Sequence, residues 1–415
     1  MTRLLAISWE MPPLSGPRAV QVTRTLLALG DRGWRSRVIC FDARSRRYQQ
    51  DHLVSPEALS GGTVQRLPVP SPEEWLFFRA LWRVMPPLKH LPDEKRVWVP
   101  SAIAEGRRAL GEEAADLIVS FGQPWSGHLV GLSLHQQTEL PWVAHFSDPW
   151  VDNPYQDGNE WTRRRTVAME REVVATATRL VFVNSQTLER VMTKYPAAWS
   201  TRAHVVPQGH EGAAMQLLPS SSSAPLRIVY TGRFYDGIRT PEVFLRAIAD
   251  ADRSSTLAGR LIVEFVGSRM EQYERLAREL GLSDIVQFAG RMSPAQARER
   301  ASRADVLLVI DAPSGDGPSL FLPSKLIDYL PLGKPILAIT PPQGPVADLI
   351  GKLGYVAVDP SDRARLVAAL EALVDAHERG RLAVSTSHDS VSRAYDIRET
   401  TGAFERVLEL ALQSR

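Results

Sequence analysis

The chain of 415 residues contains one cysteine, Cys40, which excludes an intrachain disulfide framework and a cysteine-based metal centre. Its setting, Val38-Ile39-Cys40-Phe41, places it as a buried strand thiol rather than a nucleophile. No apolar run is long enough to span a bilayer. The apolar part of the first nine residues is too short for a signal peptide and fits a first strand, so the expected location is cytoplasmic. Neither charge sign dominates: 49 Lys and Arg stand against 47 Asp and Glu, a net charge of +2, so a nucleic-acid partner is not implied. The nine histidines form no obvious cluster, and the turn after the first strand is not Gly-x-Gly-x-x-Gly, so a standard nicotinamide fingerprint is absent.

What is present is an alternation. A composition that is 44% hydrophobic and 23% charged is that of a globular chain with material for two cores. Strand-like runs at 4–7, 38–41, 117–120, 142–145, 180–184 and 204–207 are separated by helix-like periodicity, notably at 20–29 and 128–134. The Ser/Pro-rich stretch 217–225 reads as a linker. The alternation then restarts, with strands at 227–231, 261–266, 286–288 and 306–310 and helices at 242–249, 272–280 and 294–301. The pattern predicts an α/β protein of two doubly wound, Rossmann-like domains facing each other across a cleft, with ligands at the carboxyl ends of strands. The expected boundaries are 1–213, a linker at 214–225, 226–392, and a helix at 393–415 that crosses back to the first domain.

The most informative segment is 320–337, Leu-Phe-Leu-Pro-Ser-Lys-Leu-Ile-Asp-Tyr-Leu-Pro-Leu-Gly-Lys-Pro-Ile-Leu. It reads as loop, helix start, short helix, Gly stop and buried strand. Ser324 can cap, a helix N-terminus can hold an anion, and Lys325 sits in the first turn, where the dipole disfavours a cation unless an anion is near. Asp328 lies one turn further on, in reach of a polar ligand. Arg233, in Tyr230-Thr231-Gly232-Arg233 at the end of a strand, is placed to neutralise a diphosphate; Arg239 follows after an Asp-Gly turn. For both arginines a salt-bridged surface loop is the alternative.

In the first half, Gly16 opens a strand–helix loop, either for close approach to a ligand or as a plain turn. His128 follows another strand, placed either to polarise a substrate hydroxyl or to pack in the core. Asp148, in Phe146-Ser147-Asp148-Pro149-Trp150, is placed either to accept from a sugar hydroxyl or to cap the next segment. The aromatic stretch 75–89 (Trp75, Phe77, Phe78, Leu81, Trp82 and Val84, interleaved with Arg79, Arg83 and Lys89) is either a packing helix or a contact for an apolar acceptor or the inner membrane face.

These pieces resemble glycosyltransferase family 4, of the GT-B fold. Trp9-Glu10-Met11-Pro12-Pro13-Leu14-Ser15-Gly16 is similar to the family's first loop, and His204-Val205-Val206-Pro207-Gln208-Gly209 to its Pro-Asn-Gly motif, with Gln in place of Asn. Tyr230-Thr231-Gly232-Arg233 is similar to its Gly-Arg loop, and 281–291 with Ala304-Asp305 to the core of its donor domain. The resemblance implies a nucleotide-sugar donor (a UDP-, GDP- or dTDP-sugar), retention of anomeric configuration, no metal and no prosthetic group. The acceptor it implies is a sugar, a lipid-linked molecule or a small molecule, as in surface-polysaccharide assembly. Donor-binding residues carried over are Gly16, Gly232, Arg233, Arg239, Gly267, Arg291, Ser324, Lys325 and Asp328, with Asp328 on the ribose. Catalytic candidates are Arg233, Lys325 and His128; Asp148 and His128 form the acceptor side. The family's diphosphate lysine falls on Ile238, with Arg239 displaced by one, and its first motif acid falls on Leu320. A GT-B epimerase acting on a nucleotide sugar and a non-catalytic nucleotide binder are the rival expectations.

Overall fold

The computed structural model describes residues 1–14, 16–43, 62–68, 76, 80, 83–85, 91–153, 159–212, 224–255, 257–267, 270–312 and 319–414. The Ser/Pro-rich stretch and most of 75–89 lie outside these residues; within the latter, Leu76, Val84 and Met85 are described and exposed. Two compact units account for the chain: Met1–Gly209 with Ile397–Arg415, and His210–Asp396.

The first unit holds a parallel sheet of β1 (Arg3–Ile7), β2 (Arg35–Phe41), β3 (Thr63–Leu67), β4 (Leu117–Phe121), β5 (Trp142–Phe146), β6 (Arg179–Phe182) and β7 (Ala203–Val205), in the order β3-β2-β1-β4-β5-β6-β7. The second holds β8 (Leu226–Thr231), β9 (Leu261–Val266), β10 (Val286–Gly290), β11 (Val306–Ile310), β12 (Ile336–Ile339) and β13 (Val356–Val358), in the order β10-β9-β8-β11-β12-β13. Both are doubly wound Rossmann-like sheets, whose strand order reverses at β1/β4 and at β8/β11. The central strands are apolar throughout because helices cover both faces: every residue of β4, β5 and β11 is buried.

The expected strands appear to within a few residues. Strand β3, the helix Val99–Glu112, the helix Arg363–Glu378 and strand β13 were not anticipated. Strand β3 carries Arg66 and Gln65 at an edge, and β13 has three residues, so neither presents a buried apolar run.

One face of the first sheet is covered by Pro17–Asp31 together with the terminal helix Ile397–Leu412. Val22, Leu26 and Leu29 meet Phe404, Val407, Leu408 and Ala411 in one buried cluster. Pro17 fits the first helical turn, where no N–H is needed. Glu405 ties the helix ends by accepting from Arg32 Nε at 2.5 Å and Trp34 Nε1 at 2.8 Å.

The ring of Phe404 is 1% exposed. Phe404→Ala should therefore destabilise the first unit by about 3–5 kcal/mol. All ten tryptophans lie in Met1–Gly209, so tryptophan fluorescence during denaturant unfolding reads this unit alone. An unshifted midpoint would mean that the terminal helix contributes nothing to it.

Candidate active site

In the second unit the polar residues gather at the β8/β11 switch point. Phe234 is fully buried and stacks on Tyr230 with ring centroids 4.7 Å apart, which anchors the loop and presents Arg233 beside it. The next residues close a tight turn: Tyr235 N–H donates to the Arg239 carbonyl at 2.9 Å, and Arg239 N–H donates to the Tyr235 carbonyl at 2.8 Å. Arg233 and Arg239 thus come to one aromatic ring, their guanidinium carbons 5.5 and 5.8 Å from the centroid of Tyr235. Each has a buried Nε with no hydrogen-bond partner.

Lys325 enters from the helix Ser324–Tyr329. Its ammonium lies 3.8 Å from the centroid of Tyr230 and donates to the Tyr230 hydroxyl. A Cβ on Gly232 would stand 2.5 Å from Lys325 Nζ, and Gly232 has φ of +137°, so this position requires glycine twice over. Tyr329 locks the helix to β8: Thr231 N–H donates to its hydroxyl at 2.8 Å. Burial, followed by the charge of Arg239, pushes the Lys325 ammonium well below its usual pKa, while Asp311 opposes this. No acid forms an ion pair with Arg233, Arg239 or Lys325 among the described residues.

Several expected roles change here. Ser324 does not cap: Pro323 holds the N-cap position, Ser324 is the first helical residue, and no side-chain cap bond forms. With only six residues, this helix contributes its side chains rather than a strong dipole. Gly267 does not offer its N–H, which donates to the Gly290 carbonyl at 2.8 Å. It is glycine because any Cβ there would overlap the Gly232 carbonyl. Arg291 follows β10 and is exposed. Asp328 lies on the Lys325 face of the helix, three residues on, and is partly buried.

The first unit builds a second polar centre. Arg18, 6% exposed, donates from Nε to the Gly122 carbonyl at 2.8 Å, and its Nη2 lies 3.2 Å from His145 Nδ1. Burial lowers the guanidinium to about 10, opposed by Asp148 and Glu10, so it stays charged at neutral pH. The Asp148 carboxyl is raised by burial and accepts from the Ser147 hydroxyl at 3.0 Å. Arg18 and His145 line a small cavity of about 20 Å³ with Gln21, Gln208, Thr401 and Phe404. Thr401 Oγ1 is buried there without a partner.

Two expectations are corrected in this unit. Gly16 has an ordinary φ of −68°, and the space beside its Cα is taken by the Glu10 carboxylate, 2.5 Å from where a Cβ would stand. The close approach therefore serves a side chain of the chain itself rather than a ligand. His128 does not face a substrate: it is fully buried, with Nδ1 2.8 Å from Ser120 Oγ and its ring packed on Phe146 at 4.5 Å. Burial and the charge of Arg18 push it down to about 3, so it is neutral at working pH. The histidine at the cavity is His145, which sequence reasoning missed although it ends an apolar strand run. A polar residue at the carboxyl end of a buried strand is the signal that picks it out, and the same signal marks Asp311 after β11.

Among the described residues, no group of three or more His, Cys, Asp and Glu side chains could hold a metal ion, and no helix is long and apolar enough to cross a membrane.

Against known proteins, residues 18–209 match the model of the glycosyl transferase 4-like domain, and residues 225–376 match glycosyl transferases group 1. A D-inositol 3-phosphate glycosyltransferase of Streptomyces avermitilis is 27% identical over 264 residues, 58% of this chain and 55% of that protein. The chain thus spans little more than half the length of that relative. Among solved structures, sucrose-phosphate synthase from Thermosynechococcus elongatus superposes with a TM-score of 0.72 at 18% identity, covering 100% of both chains. WaaG, a glycosyltransferase involved in lipopolysaccharide biosynthesis, superposes with a TM-score of 0.61 at 15% identity, covering 97% of this chain and 99% of that one. The fold is that of GT-B glycosyltransferases.

The histidine burial has a measurable consequence. His128 and His145 are both held below the unfolded value of about 6.5. The unfolded chain therefore takes up protons first, and the stability from the neutral rings is complete above about pH 6.5 and declines as pH falls, for His128 down to about 3. His128 should contribute a slope of about 1.4 kcal/mol per pH unit within that window. In His128→Asn, the slope of unfolding free energy between about pH 6 and 4.5 should be shallower by that amount. An unchanged slope would show that His128 is protonated in the fold.

Proposed function

The chain belongs to the family 4 glycosyltransferases, its first unit a glycosyl transferase 4-like domain and its second a group 1 domain, and on that premise we propose that it moves a sugar from a nucleotide-sugar donor to an acceptor hydroxyl. The observation that carries this is the set of cations at the end of β8. Arg233, Arg239 and Lys325 converge with two buried, unpartnered guanidinium Nε groups and no acid paired to them among the described residues. A cluster of partly buried cations with no ion-pair partner favours a ligand that supplies the opposite charge. A diphosphate suits these groups in charge and in bidentate hydrogen bonding to arginine.

In this mechanism the cations are most useful when the sugar–phosphate bond breaks. Charge then builds on the leaving diphosphate oxygen, and Arg233 and Lys325 are already oriented to meet it. A leaving phosphate oxygen can take the acceptor proton on the same face, which accords with retention of configuration and leaves the protein no strong base to supply. Three fixed positive side chains can do the charge neutralisation that a metal does elsewhere. Asp328, on the same helix face as Lys325, is assigned to the ribose hydroxyls.

The acceptor is assigned to the cavity of the first unit. Amides and hydroxyls of Gln21, Gln208 and Thr401, beside Phe404 and the Arg18 charge, suit a polyhydroxylated molecule, including one that bears an anionic group. Asp148, whose charge acts on Arg18, belongs to its polar surroundings. The exposed Leu76, Val84 and Met85 accord with a lipid-linked acceptor at a membrane face, as in polysaccharide or glycoconjugate assembly.

Calorimetry with UDP-, GDP- and dTDP-sugars, followed by a transfer and hydrolysis assay, tests the proposal. One donor should bind, and Arg233→Ala should lower turnover by about 10²–10³-fold with an unchanged circular dichroism spectrum. Near-normal transfer by Arg233→Ala would remove that residue from the reaction. Binding without transfer or hydrolysis would leave a non-catalytic nucleotide binder, and release of an altered nucleotide sugar without acceptor would indicate an epimerase.

A further inference from the structure

The Tyr230 hydroxyl touches both of the segments that bring Lys325 and Arg233 to the donor site. Its side chain is fully buried near the end of β8. An ammonium has three N–H donors and no acceptor, so in the contact between them Lys325 donates and the Tyr230 oxygen accepts. The phenol proton is then available to a second partner, and it goes to the Arg233 carbonyl at 3.3 Å. Burial raises the pKa of the phenol, which keeps that proton in place. One hydroxyl thus links the Lys325 ammonium to the backbone of Arg233, although Lys325 and Tyr230 are 95 residues apart in the chain.

The helix that carries Lys325 does not depend on this contact. It is already fixed to β8 by Thr231 N–H, which donates to the Tyr329 hydroxyl at 2.8 Å, and by the buried side chains of Leu326 and Ile327. What the Tyr230 hydroxyl adds therefore acts on the ammonium itself. A lysine carries its charge on a flexible four-carbon stem, which by itself does not aim it. Here the Tyr230 ring bounds the ammonium from one side, its centroid 3.8 Å away, and the hydroxyl takes one of its three donors. Two donors remain for a ligand. The ring has little freedom of its own, stacked on Phe234 at 4.7 Å and edge-on to Phe265 at 5.9 Å. We propose that Tyr230 is a positioning residue of the donor site: its hydroxyl aims the Lys325 ammonium and ties it to the Arg233 backbone, so that the two cations meet the diphosphate as one preorganised set. This role rests on the donor-diphosphate reading. A buried phenol needs partners in any fold, so the role is separated from plain core packing by what the hydroxyl does through Lys325.

The test is a double-mutant cycle on nucleoside diphosphate affinity, measured by calorimetry with UDP, GDP and dTDP on the full chain. Tyr230→Phe keeps the ring and removes the hydroxyl. It should weaken binding about tenfold, the scale of one hydrogen bond to a charged group. In a chain that already carries Lys325→Met, the same change should alter affinity by less than about twofold, because the group it aims has gone. Equal losses in both backgrounds would show that the hydroxyl serves only the fold, overturning the role of Tyr230 while leaving the donor site standing. A second measurement serves if Tyr230→Phe does not fold or Lys325→Met does not bind: NMR of the unaltered chain labelled with 13C in its six lysines. The Lys325 ε-methylene signal, identified by its loss in Lys325→Met, should be displaced upfield by the Tyr230 ring. A signal at the ordinary lysine position would put the ammonium off the ring and overturn the proposal. If the unaltered chain binds none of the three nucleotides, the donor-site reading fails and this inference falls with it.

Discussion

A cation removed from water without a counter-ion loses several kcal/mol of hydration. The second unit brings three partly buried cations to one place, and aromatic side chains pack around them. Aromatic faces substitute for part of the lost hydration: Tyr235 lies against Arg233 and Arg239, and Tyr230 against Lys325. Tyr230 is itself fixed, since it stacks on Phe234, which in turn meets Phe265 and Tyr273 edge-on in the core. The charge cluster is thus mounted on the hydrophobic core of its unit.

The backbone permits the arrangement through a close crossing. The Gly232 carbonyl passes where a side chain on Gly267 would be, and the Lys325 ammonium passes where a side chain on Gly232 would be. Two glycines with positive φ let two strand ends and a lysine share a space that no other residue pair would leave open. Sheet order decides which strand ends these are. Because β8 and β11 are neighbours on either side of the reversal, their carboxyl ends diverge and leave room for a ligand. The first unit repeats the topology at β1/β4, and there the space is shaped by Arg18, His145 and the terminal helix.

The fold was legible in the sequence wherever apolar runs were long and buried on both sides. Strands β9 and β11 appear with the bounds their sequence suggests, and the terminal helix carries the apolar spacing that docks it on the first sheet. Edge strands such as β3 were not legible, because half their residues face water and break the run. The clustering of Arg233, Arg239 and Lys325 was suggested by their places at strand and helix ends. Arg239 looked out of register in the sequence, and the turn from Tyr235 brings it to the same ring as Arg233.

Other residues could be weighed only in three dimensions. His128 and His145 are equally plausible on paper, each close to the carboxyl end of a strand. The fold buries one under Phe146 and Trp125 and sets the other beside Arg18 at a cavity. Gly16 looked like an opening for a ligand, and Glu10 fills it. The sequence by itself determined the two doubly wound units and the kind of charge they offer, because periodicity and residue type are local properties. Tertiary structure alone decided which polar groups meet, which are silenced by burial and which remain charged, because desolvation and Coulomb interaction depend on distances that chain order does not contain.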